Sequence, residues 1–120
     1  MSMKFKQLII GSKLIEAVGE NLQGYVWGRD SRYLDSLFLT FDTGILKIYN
    51  PACLLCDSGQ SVGLGSIIGL VVTDSFVFSD ELTLVLDHKI LVRVSLREED
   101  CIGPEAAVFQ AVSGDIVVFN

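Results

Sequence analysis

Two runs of closely similar pattern constrain this chain more than any other feature. Residues 35–49 read DSLFLTFDTGILKIY and residues 80–94 read DELTLVLDHKILVRV. Each has an apolar-alternating run, an Asp at a short turn and a second apolar run. In the first, Leu37, Leu39 and Phe41 point one way while Phe38 and Thr40 point the other; in the second, Leu82, Leu84 and Leu86 oppose Thr83 and Val85. Such period-two alternation is the signature of half-buried strands, so both runs are expected to be β-hairpins. Asp42-Thr43-Gly44 is the stronger turn signal, because it alone carries a Gly able to take positive φ; Asp87-His88-Lys89 is the weaker.

The similarity extends outward. Gly11-Ser12 precedes KLIEAV as Gly65-Ser66 precedes IIGLVV, and the aromatic triplets Tyr25-Val26-Trp27 and Phe76-Val77-Phe78 follow. The step from the Gly-Ser pair to the hairpin Asp is 24 residues in the first stretch and 15 in the second, and the nine additional residues fall in the polar segments GENLQG and GRDSRYLD. Pseudo-repeats over about 11–50 and 65–96 therefore predict two meander units related by an approximate two-fold axis. One discrepancy stands out. After the turns, Leu46 and Ile48 are the apolar positions in the first unit, whereas Ile90, Val92, Val94 and Leu96 in the second are one residue out of phase. Either a bulge restores the register, or the second hairpin is apolar on both faces and centrally buried.

Elsewhere, residues 13–18 and 67–72 are expected to be strands and residues 51–64 a connector between the units. Gly103-Pro104-Glu105-Ala106-Ala107 predicts a short helix, with Pro at its first position and Glu at the positive end of the dipole. Ser113-Gly114-Asp115 stops that helix and Ile116-Val117-Val118-Phe119 forms a closing strand, giving a C-terminal helix and strand over 103–120. The expected fold is mainly β, with six or seven strands in a sandwich or curled barrel-like sheet and one short helix in the C-terminal region.

At 120 residues this is expected to be a single domain, long enough to fold without a disulfide or metal. Half of the residues are hydrophobic and the mean hydropathy is +0.49. No run is long enough to span a bilayer, so the excess apolar surface is expected at a subunit interface, in a dimer or dimer of dimers. Lys13 and Glu16 interrupt the N-terminal apolar run before any cleavage site, and three cysteines are an odd number without a disulfide framework; both observations point to a cytoplasmic protein. The net charge of −6 is uneven. Residues 1–50 carry six basic and five acidic side chains, whereas residues 51–120 carry three basic and ten acidic ones. An acidic field repels phosphate backbones, so nucleic acid is not an expected partner, and it steers basic protein partners instead.

Four constellations carry candidate chemistry. Cys53-Leu54-Leu55-Cys56 has metal or redox spacing, but no strand-to-helix setting lowers its thiol pKa values. Cys101 and His88 complete a Cys₃His set on paper, yet the second pair lacks zinc-site spacing, so neither a metal nor a cofactor is expected. His88, the only histidine, falls in a turn beside Lys89, and no nucleophile elbow or phosphate loop is present; the chain is read as non-enzymatic. Glu98, Glu99, Asp100 and Glu105 gather beside Arg97 as a docking patch for a partner. The alternative is a small-molecule site in which Trp27, Arg29, Arg32 and Tyr33, with Tyr25, stack on and pair with a planar or anionic ligand.

The pattern Leu37-x-Leu39-x-Phe41-Asp42-x-Gly44-x-Leu46-x-Ile48-Tyr49-Asn50, the later LREEDCIGPEAAVF and the closing IVVF resemble small bacterial β-proteins of the mobile (integron) gene-cassette and immunity-like type. The resemblance covers most of residues 10–120 and rests on structural motifs. It implies a compact oligomeric protein without established catalysis, and it transfers no functional residue.

Overall fold

The computed structural model describes residues 3–20, 34–97 and 105–120. The chain is mainly β, and its strands form two antiparallel sheets, neither of them closed into a barrel. Helix α1 (Met3–Ile9) leads into β1 (Leu14–Glu20), β2 (Ser36–Phe41), β3 (Gly44–Ile48) and β4 (Ala52–Leu55). A 3₁₀ turn at Leu64–Ile67 precedes β5 (Val72–Phe78), β6 (Glu81–Leu86), β7 (Ile90–Ser95), β8 (Ala107–Ala111) and β9 (Ile116–Phe119). The five-stranded sheet runs β1-β2-β3-β8-β9 and the four-stranded sheet β4-β7-β6-β5.

Both predicted hairpins are present, and alternation explains which side of each strand is buried. Leu37, Leu39 and Phe41 of β2 and Leu82, Leu84 and Leu86 of β6 join one core with Leu46, Ile48, Val92 and Val94. The phase difference between the hairpins has a simple cause. Phe41 pairs with Gly44 across a two-residue turn, whereas Leu86 pairs with Ile90 across three residues. The additional residue restores the inward set without any bulge after the turn, so β7 buries one face in the core as β3 does. Positive φ occurs in the turn that lacks glycine: Asp87 (49°) and His88 (59°) adopt the left-handed region, which Asp and His tolerate better than most side chains. Lys89 N–H closes this turn on Leu86 O at 3.0 Å.

Each sheet contains a meander that begins with a bulged strand. The register shifts between Leu14 and Glu16 in β1 and between Val72 and Asp74 in β5. The two strands meet at an antiparallel bridge, Lys13 to Val71. Around it Gly11 N–H donates to Val72 O (2.8 Å) and Gly69 N–H to Leu14 O (2.7 Å), while Leu14 N–H donates to Leu70 O and Val72 N–H to Ser12 O, both at 2.9 Å. Asp42 Oδ1 accepts from Lys13 N–H (3.0 Å) and Asp87 Oδ1 from Val71 N–H (2.8 Å), so each hairpin Asp ties its turn to this junction.

The described residues form nine strands, not the six or seven expected, and three further expectations are corrected. Ala107–Ala111 is strand β8, not helix, and the helix lies instead at Met3–Ile9. Ala106 O accepts from Tyr49 N–H, Ala106 N–H donates to Phe119 O, and β8 pairs on both flanks; sheet hydrogen bonds outcompete a helical preference of a few residues, too short to nucleate. Residues 51–64 are not only a connector, because Ala52–Leu55 forms β4 on β7, buried at every position. Residues 67–72 are not a strand: Ile67 ends the 3₁₀ turn and Gly69 (φ 88°) redirects the chain before β5 begins at Val72.

One core position is imperfect. Ser75 is fully buried in β5, and its Oγ has no hydrogen-bond partner among the described residues. An unsatisfied buried hydroxyl is unfavourable, and Ala17 stands at the matching place of β1, three residues past Leu14 as Ser75 is three past Val72. Ser75→Ala is expected to raise stability by about 1 kcal/mol in urea unfolding; a loss of stability would mean that the hydroxyl has a partner in solution.

Candidate interaction surface

The residues that do not point into the core define the site. Pairing register aligns two rows across all five strands of the larger sheet. One row is Val18, Phe38, Lys47, Val108 and Val118; the other is Glu16, Thr40, Ile45, Gln110 and Ile116. Val18, Phe38, Ile45, Ile116 and Val118 are exposed. β-Branched and aromatic residues suit a pleated surface whether or not water covers it, so strand propensity alone permits this face. Its openness is what is unusual. Phe38 meets the ring of Tyr49 edge-on, at 5.8 Å between centroids.

The outward face of the smaller sheet contrasts with it. Its rows place Phe76, Thr83, Arg93 and Cys53 across β5, β6, β7 and β4, followed by Asp74, Val85, Leu91 and Leu55. Cys53, Leu55 and Thr83 are 1, 4 and 5 % exposed and Phe76, on β5, is 40 %; on the larger sheet Ile116 and Val118 are 62 and 47 % exposed and Val108 is 9 %. Arg93 forks onto Glu81 there, with Nε to Oε1 at 2.8 Å and the second nitrogen to Oε2 at 3.0 Å, a diagonal cross-strand pair.

The Cys-x-x-Cys pair is separated by the strand itself. Cys53 pairs with Arg93 on the outward face, while Cys56, three residues on, packs with the core-facing set. Residues three apart in extended chain are roughly 10 Å apart, beyond disulfide reach. No disulfide joins Cys53 and Cys56. The Ser58 hydroxyl lies 2.9 Å from Cys56 Sγ and, with the Ser58 N–H, holds that thiol below its ordinary 9.0. No group of three potential metal ligands occurs among the described residues. His88 is exposed in its turn, and its backbone N–H donates to Thr73 Oγ1 at 3.0 Å.

Of the acidic patch, Glu105 is half-buried just before β8, while Glu98, Glu99 and Asp100 lie outside the described residues, as does Cys101. Trp27, Arg29, Arg32 and Tyr33, together with Tyr25, also lie outside them. The open sheet face was missed from sequence, although the alternate positions Phe38 and Ile45 carried its signal. No helix among the described residues is long and apolar enough to cross a membrane. No protein-family model, curated protein or solved structure matches the chain.

Proposed function

We propose that this chain is a non-enzymatic interaction protein that self-associates. The observation that carries this reading is the set of exposed apolar side chains on the outward face of the larger sheet, Val18 on β1, Phe38 on β2, Ile45 on β3 and Ile116 and Val118 on β9. Exposed apolar side chains scattered singly are ordinary on a monomer, but a contiguous field of them on a rigid sheet has the character of a binding surface. The acidic C-terminal half, with Glu98, Glu99, Asp100 and Glu105, adds steering toward a basic protein partner. Sedimentation velocity of the full chain from about 1 to about 100 µM tests the reading, the range in which contacts of this type assemble. A concentration-dependent shift to dimer is expected; a monomer throughout overturns it.

The reading includes how the chain is built, as two units of one design. Its support is the reciprocal hydrogen bonding of Gly11 with Val72 and Gly69 with Leu14, the bulges at the starts of β1 and β5, and the motif Ile9-Ile10-Gly11 recurring as Ile67-Ile68-Gly69. The correspondence continues at the other edge. Cys56 N–H donates to Gln60 O and Gly59 N–H to Cys56 O, as Ala111 N–H does to Asp115 O and Gly114 N–H to Ala111 O. An experimental structure in which residues 37–41 and 82–86 fail to superpose after a two-fold rotation would remove this part of the proposal.

A further inference from the structure

The geometry points to a second copy of this chain as the occupant of the five-stranded sheet's outward face, so that two such sheets pack face to face in a dimer. This inference rests on the self-association reading above and names its surface and partner.

Three observations carry it. The first is the contrast between the two outward faces of one molecule. In the paired rows of the smaller sheet's face Cys53, Leu55 and Thr83 are buried and Phe76 is the exposed large apolar residue, whereas the rows of the larger sheet expose Val18, Phe38, Ile45, Ile116 and Val118 around a buried Val108.

The second is charge. The chain carries −6, so two copies repel one another over most approaches. On the two rows of this face the ionisable side chains are one Glu16 and one Lys47, which cancel. A neutral apolar field on an acidic protein is the surface on which like copies meet with least repulsion, and it offers nothing that would select a strongly charged partner.

The third is size. Five strands of four to seven residues, at about 4.8 Å spacing and about 3.3 Å per residue, cover roughly 430 Å² in projection. Side-chain relief raises the accessible area toward the ~800 Å² per partner typical of stable interfaces. Sheets pack face to face about 10 Å apart, which side chains of Val, Ile and Phe size fill.

The test compares full-length wild type with Ile45→Lys, Val118→Lys and the control Phe78→Lys by sedimentation velocity. All three positions are exposed, and Phe78 lies at the end of β5 in the other sheet. Lysine lowers the magnitude of the net charge, so any weakening cannot arise from added general repulsion. Ile45→Lys and Val118→Lys are expected to weaken dimerisation about 100-fold, because each buries an unpaired ammonium at the interface, while Phe78→Lys leaves it unchanged. Radical footprinting of wild type at low and high concentration supplies a readout without mutation: Phe38, Ile45 and Ile116 lose reactivity on association and Phe78 does not. A wild-type dimer that both lysine variants retain, or equal footprints at the two concentrations in a chain that does dimerise, overturns this inference and leaves self-association standing. A monomeric wild type overturns both.

Discussion

Phe5→Ala is expected to destabilise the protein by about 3–5 kcal/mol, the range for removing a fully buried phenylalanine. The ring is completely buried and meets Phe109 and Phe119 edge-on, with centroids 5.5 and 4.9 Å away. Helix α1 has seven residues, too few to persist on its own, so what holds it is this insertion against β8 and β9 together with buried Ile9. Two ion pairs flank the helix, Lys4 to Asp115 at 2.7 Å and Lys6 to Asp74 at 3.4 Å. Lys4 and the Ser113 hydroxyl hold the Asp115 carboxyl below its ordinary value, but the pair is largely in water, where such contacts contribute little. Aromatic burial therefore dominates, and Phe5→Ala should lower the urea midpoint far more than Lys4→Ala. Comparable midpoints for the two variants would show that the helix is not seated against β8 and β9 through Phe5.

The same helix marks where sequence reasoning stopped. MKFKQLI has no acidic residue in its first turn, and its apolar spacing, Phe5 to Ile9, covers little more than one turn. Its position is decided by an aromatic cluster assembled from the far end of the chain. Strand β4 was hidden for a related reason: Pro51-Ala52-Cys53-Leu54-Leu55 has no alternation, because all of its residues are buried. The strands β2 and β6 were legible because one side of each faces the core and the other does not, which writes the period directly into the residues. The phase difference of the second hairpin was also visible, but its explanation depended on a turn in which Asp87 and His88 supply positive φ without glycine. That phase difference suggested an apolar second face on β7, whereas the open apolar face belongs to the sheet of β2 and β3. Telling an open outward face from a covered one requires knowing which strands flank it, and strand order is set by long-range pairing such as β3 with β8.

Gly44→Ala is the second large effect, expected to cost about 3 kcal/mol, the upper end of what forced overpacking costs. Gly44 opens β3 opposite Ala111 of β8, where the backbones come unusually close. A Cβ there would collide with the Gln110 carbonyl oxygen and stand 2.8 Å from Ala111 Cα and 2.9 Å from Phe109 Cζ. Two of these three atoms are backbone in the middle of a paired ladder and cannot rotate away. The third belongs to the ring against which Phe5 packs, so any retreat of Phe109 loosens the aromatic cluster that seats α1. Gly114 provides the comparison. Its φ of 98° disfavours a side chain, yet nothing lies within 4 Å of its would-be Cβ, so Gly114→Ala carries backbone strain alone, about 1–2 kcal/mol. Urea unfolding of the two variants separates collision from strain. Gly44→Ala should be clearly the less stable, and its near-ultraviolet aromatic signal should change while that of Gly114→Ala does not. Equal losses in the two variants would mean that β3 and β8 can part at Gly44 without disturbing the core.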